Sequence, residues 1–356
     1  MVTNYPMGLI ITFLNLQIQV QLLKVHLQLS VRKNKFIKQR NSIAMKKAIF
    51  LGYVIGLLVL DLQSQQLPFY SQYYFNTFLY NPATTGVSNE TNAFLVNRSQ
   101  FSGIPGGPVT NAFTLDGFMD KKNVGLGLSI FNDVQDINER LGIYASYAYR
   151  LKINEDQAIR FGLSIGFLDS RVDFSKAVVK DLYDPMMLSQ IQRKSSIDAN
   201  IGVSYNWKEL EVGFSVPQLL GKEIEFSNYD LTSYYQLNRH YQGSAKYYWE
   251  FSPELQLALE PMVMVRFMPH TPFQYDINAM CSWKKMFWFG VSYRSNYAAG
   301  INARVKLFGN LSAGYAYDII VTPLKTNAGI SHEFMLGYKF GQNQATKSGF
   351  ERGKYD

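Results

Sequence analysis

Few side chains in this sequence are of the types that carry out catalysis or bind metals. The one cysteine is Cys281, and no pair of residues has the spacing of a zinc or redox site. Ser331, His332 and Glu333 are adjacent, but neighbouring residues of a strand face opposite sides, so they cannot meet as a triad. The histidines after residue 64 are His240, His270 and His332. We therefore expect no enzyme, no catalytic residues, no cofactor and no metal.

Charged residues are more informative, because a set of them falls on one face of successive predicted strands. The set mixes both signs, which favours charge pairs that cross a filled interior over a pore selective for one sign of ion. A plain water-filled channel with incidental charges is the alternative. The inward set comprises Arg98, Arg150, Arg160, Asp198, Glu211, Asp276, Arg294, Arg304, Lys306, Asp318, Glu333 and Lys339.

Glycines that superficially resemble a phosphate-binding loop lie inside predicted strands. No helix is predicted after Gly125 and Gly127, or after Gly162 and Gly166, so the motif lacks its structural context. Close packing against the inner wall of a barrel explains these glycines instead.

The strand pattern that positions these residues is clearest in 140–151. Leu141, Ile143, Ala145 and Tyr147 alternate with small or polar residues, and the segment has about the length that crosses a bilayer. A soluble β-sandwich also alternates, but it turns its apolar face inward and its charges outward. Gly, Ser and Arg on the second face fit a lumen, and a membrane barrel is the preferred fold.

The same period of two continues through the chain and predicts an all-β, transmembrane outer-membrane β-barrel with about fourteen antiparallel strands. Such barrels have even strand numbers, short periplasmic turns and longer outer loops. The two longest connections, 170–196 and 217–236, both follow odd strands, which predicts that they face the cell exterior. The strands are predicted at 91–101, 110–118, 123–132, 140–151, 157–169, 197–206, 209–216, 237–250, 254–266, 273–283, 286–294, 297–306, 310–318 and 329–340.

The segment before the barrel resembles a leader. Lys46 and Lys47 precede the apolar run 48–60, and Ser64 supplies a small residue at the cleavage point, as in a secretory signal peptide. We expect residues 1–44 to be a non-native upstream extension, 45–64 the signal peptide, 65–90 an N-terminal periplasmic or lumen segment, 91–340 the barrel and 341–356 a tail. The formal charge of the chain is +8, but residues 1–64 contain eight of its 35 basic and one of its 27 acidic residues. The remainder carries about +1, which gives no reason to invoke nucleic acid.

Aromatic residues between Pro68 and Pro82 predict a compact segment tucked into the periplasmic mouth of the lumen. An extended lead-in to the first strand is the alternative. The candidate plug residues are Tyr73, Tyr74, Phe78, Asn81 and Pro82.

Several motifs, in order, resemble the PorP/SprF family of Bacteroidetes outer-membrane proteins, which is associated with type IX secretion and gliding motility. They span nearly all of 69–340, and the mild departure is Phe101, where we expect Trp. The motifs include Gln72-Tyr73, Tyr80-Asn81-Pro82-Ala83, Arg98-Ser99-Gln100, Val124-Gly125-Leu126-Gly127, Tyr147-Ala148-Tyr149-Arg150-Leu151, Gly213 to Leu220, Ser331-His332-Glu333 and Gly337-Tyr338-Lys339-Phe340.

The resemblance implies a non-enzymatic protein of the cell outer membrane that anchors or helps to export a secreted surface protein through its C-terminal domain. The implied partners are outer-membrane lipid, that domain and periplasmic type IX secretion components. Apolar residues in the two long connections suggest where the domain docks, although a lid formed by the loops is the alternative. The candidate partner-binding residues are Phe174, Leu182, Tyr183, Met186, Met187, Tyr229, Tyr234 and Tyr235.

Two other functions stay open on the sequence. A FadL-like outer-membrane transporter of hydrophobic compounds has a similar size and an Asn-Pro-Ala element, but the mixed inward charges do not suit an apolar path. An outer-membrane phospholipase or protease would need a nucleophile or an acid pair beside a histidine, which the sequence does not supply.

Overall fold

The computed structural model describes residues 67–88, 90–176, 191–228, 231–269, 271–323 and 325–340, with only the backbone for 225–228 and 231–236. All of these residues belong to one compact unit, Gln63–Asp356. The expected upstream extension, signal peptide and C-terminal tail lie outside the described residues.

Fourteen antiparallel strands close into a barrel, as the alternation predicted. The ring closes where the first strand pairs with the last, from Thr91 opposite Phe340 to Ser99 opposite His332. All strands are in the ring except β8 and β9, which form a separate hairpin, and β11, which is a short continuation of β10. The strands are β1 (Thr91–Ser99), β2 (Val109–Met119), β3 (Val124–Gln135), β4 (Asn138–Lys152), β5 (Gln157–Asp173), β6 (Ile191–Trp207), β7 (Leu210–Val216), β8 (Glu223–Asn228), β9 (Leu231–Gln236), β10 (Tyr241–Tyr247), β11 (Trp249–Ser252), β12 (Leu257–Phe267), β13 (Gln274–Trp283), β14 (Phe287–Arg294), β15 (Ala298–Lys306), β16 (Leu311–Ile320) and β17 (Ile330–Phe340).

The wall of the barrel is inverted relative to a soluble protein. In β5, Phe161 and Ile165 are 50% and 57% exposed, whereas Arg160 and Ser164 between them are buried. An apolar outer band and a polar interior match a barrel surrounded by hydrocarbon. Each strand of the ring pairs with two neighbours, so the ring has no open edge strand, as a bilayer requires.

The two ends of the barrel differ in their connections. One end, called the turn end, carries Thr91, Phe340 and the tight connections between β2 and β3, β4 and β5, β6 and β7, β13 and β14, and β15 and β16. The opposite end, called the loop end, carries the connections β5–β6 and β7–β10, the second of which contains the β8–β9 hairpin. This sorting is the one predicted from connection lengths.

Strands β5 and β6 are longer than predicted. They pair as far as Asp173 opposite Ile191, so the outer connection shrinks from the predicted 170–196 to 174–190. The extension was not predicted because polar side chains such as Arg171 and Arg193 interrupt the apolar alternation. Outside the membrane, neither face of a hairpin needs to be apolar. Arg193 is ion-paired with Asp169 at 2.7 Å.

Helical structure is minor in the described residues. Three-residue 3-10 turns occur at Thr77–Leu79, Pro82–Thr84, Asp120–Lys122 and Phe174–Lys176, and one short α-helix, α1, at Lys325–Ala328. No helix in the part of the chain that the structure describes has the length and apolar character needed to span a membrane.

Candidate functional site: the filled lumen and the loop end

The N-terminal segment 67–88, called the plug, crosses the lumen from one end to the other. Its Phe69 ring lies 5.1 Å from the guanidinium of Arg266 and 5.3 Å from that of Arg294, both at the loop end. Near its other end, the Gly86 amide donates to the Asp116 carboxylate at 2.7 Å, at the turn end. We predicted a segment confined to the periplasmic mouth, and the structure differs because polar contacts to distant strands, invisible in the sequence, fix its direction.

Aromatic rings of the plug fill the middle of the lumen. Tyr73 is 1% exposed, and Tyr70, Tyr74 and Phe78 are also buried. Tyr73 and Tyr80 pack edge to face with ring centroids 5.3 Å apart. The wall supplies buried methionines, which adapt to irregular gaps: Met262, Met264, Met280 and Met335. Burial of each large ring contributes about 1.5–3 kcal/mol, so the plug is held first by its apolar surface.

A buried ionic cluster fixes the start of the plug to the wall. The Glu333 carboxylate accepts hydrogen bonds from the Ser71 amide at 2.6 Å and the Gln72 amide at 2.8 Å. Arg98 binds Glu333 at 3.1 Å and Asp318 at 2.7 Å. The Ser71 hydroxyl donates to Asp318 at 2.6 Å. Arg98 and Glu333 are fully buried, so the cluster joins β1, β16, β17 and the plug in one polar network.

A second buried cluster lies beside the first. The Asp276 carboxylate binds Arg266 at 2.8 Å and Arg294 at 3.0 Å. Arg294 also donates to the backbone carbonyl of Tyr70 at 2.9 Å. The charges predicted to face inward at Arg98, Asp276, Arg294, Asp318 and Glu333 are therefore paired with one another and with the plug.

The Asn81-Pro82-Ala83 turn sits on glycines of the wall. The Asn81 side chain accepts from the Ala83 amide at 3.0 Å and donates to the Val203 carbonyl at 3.2 Å. A Cβ added at Gly162 would overlap the backbone of Pro82 and Ala83, and one at Gly202 would overlap the Asn81 side chain. Because these glycines have no side chain, the turn can pack directly against the wall.

The histidine and serine candidates are not assembled into a catalytic group. Glu333 faces the lumen, whereas His332 Nδ1 lies 2.6 Å from the Tyr315 hydroxyl, and Ser331 is hydrogen-bonded with Tyr297 at 3.1 Å. His270 lies outside the described residues. Among the residues that the structure describes, no three His, Cys, Asp or Glu side chains are grouped to hold a metal.

Most candidate partner-binding residues fall outside the described residues. Phe174 is half-buried at the end of β5. Leu182, Tyr183, Met186, Met187 and Tyr229 are not described, and Tyr234 and Tyr235 are placed in β9 by their backbone alone.

An apolar contact at the base of the β8–β9 hairpin was not predicted from the sequence. Ile224 is buried with Leu168 and Leu237, and Phe131 and Val172 pack against them. Leu168 faces inward in β5, so the start of the hairpin is attached to the loop end of the lumen. The alternation at the end of β5 was the available signal, but we assigned the residues from 170 onward to a loop.

Cavities remain around the plug in the part of the chain that the structure describes. One lies at the loop end and is lined by Leu67, Phe69, Phe131, Leu168 and Arg140, among others. Another, the turn-end cavity, is bounded by Phe75, Trp288 and Arg304, among others.

The family described as "Type IX secretion system membrane protein PorP/SprF" matches residues 62–338. A search of curated protein sequences finds no match.

Solved structures that resemble the fold are outer-membrane proteins of low sequence identity. A FadL homologue of Pseudomonas aeruginosa has 11% identity and a TM-score of 0.45, over 77% of this chain and 95% of that one. The CymD monoaromatic hydrocarbon channel has 13% identity and a TM-score of 0.45, over 78% and 94%. Omp33 of Acinetobacter baumannii has 8% identity and a TM-score of 0.42, over 71% and 99%.

Proposed function

Because the chain belongs to the PorP/SprF family of type IX secretion system membrane proteins, we propose that it anchors, or helps to export, a secreted protein through that protein's C-terminal domain. The protein is a barrel of the outer membrane. In the proposal, the loop end faces the cell exterior and receives the domain, while the turn end faces the periplasmic components of the secretion apparatus and gliding machinery. No catalytic step is part of the role.

The filled lumen is the observation that supports this proposal. Tyr73 and the Arg98–Glu333 pair lie inside the barrel, and both are almost without solvent exposure. An interior filled in this way favours the ends of the barrel as the places where a secreted protein binds.

Replacement of the outer β5–β6 connection tests the role. Residues 174–190 are exchanged for a short Gly/Ser turn, which keeps all the β5–β6 pairs up to Asp173 and Ile191. We expect the variant to fold, shown by heat-modifiable migration on gels, and the secreted partner to be lost to the medium. Surface retention is measured in cells by fractionation and immunoblotting.

A matched control replaces the turn-end connection at 153–156 with Gly/Ser, and the partner should then stay at the surface. Retention of the partner by a folded variant without residues 174–190 would contradict the proposed docking site.

Transport of hydrophobic compounds is the alternative function. It is favoured by the cavity at the loop end, where Leu67, Phe69 and Leu168 offer an apolar lining. The buried, ion-paired Arg98 cluster in the same lumen disfavours an apolar route. Uptake of a fluorescent fatty acid by liposomes containing the protein, above the rate of empty liposomes, would support the transporter.

A further inference from the structure

The turn-end cavity contains a half-buried cation, Arg304, that has no carboxylate partner among the described residues. Arg304 of β15 stacks on Phe75 of the plug, with its guanidinium carbon 4.5 Å from the ring centroid. The same guanidinium lies 5.3 Å from the Trp288 ring and 5.8 Å from the Phe94 ring. Three aromatic faces therefore hold one positive charge at the wall of the cavity.

The polar contacts of Arg304 do not neutralise it. One terminal nitrogen donates to the Ser312 hydroxyl at 2.9 Å, and Nε is buried without a hydrogen-bond partner. Glu260, which also lines the cavity, is ion-paired with Lys246 at 2.8 Å. Arg98 and Arg294, by contrast, each bind a carboxylate directly. Among the described residues, no carboxylate lies within ion-pair distance of Arg304.

The surroundings of Arg304 are positive as a whole. The charged residues that line the cavity are Lys246, Lys285, Arg304, Lys306 and Lys339 against Asp116 and Glu260. Glu90 adds one more acid through its 2.7 Å pair with Lys339, and the balance stays positive. Because the half-buried guanidinium has a buried Nε without a partner and the cavity around it is positive, the cavity favours a bound anion.

We propose that the turn-end cavity binds an aromatic carboxylate, whose carboxylate pairs with Arg304 and whose ring packs among Phe75, Phe94 and Trp288. The planar guanidinium suits a carboxylate, and the aromatic walls suit a flat apolar body. Lys285 and Lys306 lie at or beside tight turns of the turn end, so the ligand enters from that end. The site does not depend on the anchoring role proposed above.

Calorimetric titration of the purified full-length barrel in detergent tests the site. Benzoate should bind, while benzylamine, the cationic counterpart, should not. Arg304→Met should weaken benzoate binding at least tenfold. Arg304→Lys keeps the positive charge but lacks the paired N–H donors of the guanidinium, so it should give an intermediate loss. Arg193→Met, at the loop end, is the matched control and should bind benzoate as the unchanged protein does.

Further probes identify the source of the carboxylate. Binding of a tripeptide that ends in phenylalanine with a free carboxylate, and not of its amide, would point to a peptide terminus, whereas binding of benzoate alone would point to a small molecule. Inorganic phosphate that binds as tightly as benzoate would overturn the aromatic requirement. Absence of benzoate binding at millimolar concentration, or binding by folded Arg304→Met that is as tight as that of the unchanged protein, would overturn the site.

Discussion

At the scale of single residues, the buried ionic cluster around Glu333 decides how firmly the plug is held. Its carboxylate meets two plug amides and Arg98, and none of these groups reaches solvent. Removing one partner of such a buried pair lowers stability strongly, because the remaining charge stays buried without compensation.

We therefore expect Glu333→Ala to destabilise the barrel by about 3–5 kcal/mol. The measurement is the midpoint temperature of heat-modifiable migration in detergent. Glu155→Ala is the matched control, because Glu155 is an exposed carboxylate that pairs with Lys152 at 2.8 Å in a turn. Exposed pairs contribute little, so the control should shift the midpoint only slightly. Equal midpoints for the two variants would contradict the role of the cluster.

His240, just before β10, should resist protonation. Burial, together with the positive charges of Arg266 and Arg140, lowers the pKa of its imidazole from 6.5 to about 4. Because the folded-state pKa lies below the unfolded value, the neutral ring contributes stability that is complete above pH 6.5 and is lost as the pH falls toward 4.

Histidine side-chain chemical shifts, recorded by NMR between pH 7 and pH 4 in detergent, measure this pKa. The His240 signal is assigned by its absence in His240→Asn, and it should keep its neutral shift until about pH 4. A midpoint between pH 6 and 7 would show that the ring is not held in the buried site.

The sequence predicted that the charged residues of the ionic cluster face the lumen, but it did not predict their partners. Alternation alone put Arg98, Asp318 and Glu333 on the inner face. Their association depends on closure of the ring between β1 and β17, where Arg98 lies opposite Glu333. It also depends on plug amides, which carry no side-chain signature in the sequence.

At the scale of elements, the plug and the glycines of β5 and β6 form one fitted unit. Gly162 and Gly202 leave room for the Asn81-Pro82-Ala83 turn, and a side chain at either position would occupy that space. The alternation predicted close packing at Gly162, and the structure shows that Pro82 and Ala83 of the plug pack against it.

Gly162→Val should dislodge the plug and raise ion conductance in planar lipid bilayers, whereas the unchanged protein should give no stable open channel. Gly243→Ala in β10 is the control, since the new methyl would meet only the Val265 side chain within 4 Å. It should conduct no more than the unchanged protein. A closed Gly162→Val barrel that is folded on gels would show that the turn is not needed to block the lumen.

Element boundaries were predicted best where lipid imposes a strict alternation. The ring strands appear where they were predicted, and β7 differs from its predicted range 209–216 by one residue. Predictions failed at the loop end, where β5 and β6 continue beyond the apolar band and where 217–236 contains a hairpin. Outside the bilayer, the environment no longer requires one apolar face, and the sequence signal fades.

At the scale of the whole molecule, the barrel is a closed cylinder with two different ends and an occupied centre. Rings at the turn end are exposed toward the surrounding membrane, among them Trp207, Trp249, Trp283 and Phe340. Such aromatic girdles lie at the level of lipid headgroups. The membrane therefore surrounds the wall, the plug occupies the centre, and the connections lie at the two ends.

Site-specific crosslinking tests the anchoring role most directly. Phe174, at the start of the outer β5–β6 connection, is replaced by the photocrosslinking amino acid p-benzoylphenylalanine, and Glu155 at the turn end is replaced in the same way as the control. After irradiation of intact cells, we expect the barrel labelled at position 174 to be joined to the C-terminal domain of a secreted protein and the barrel labelled at position 155 not to be joined. A secreted protein joined only at position 155, or at neither position in folded barrels, would contradict the anchoring role.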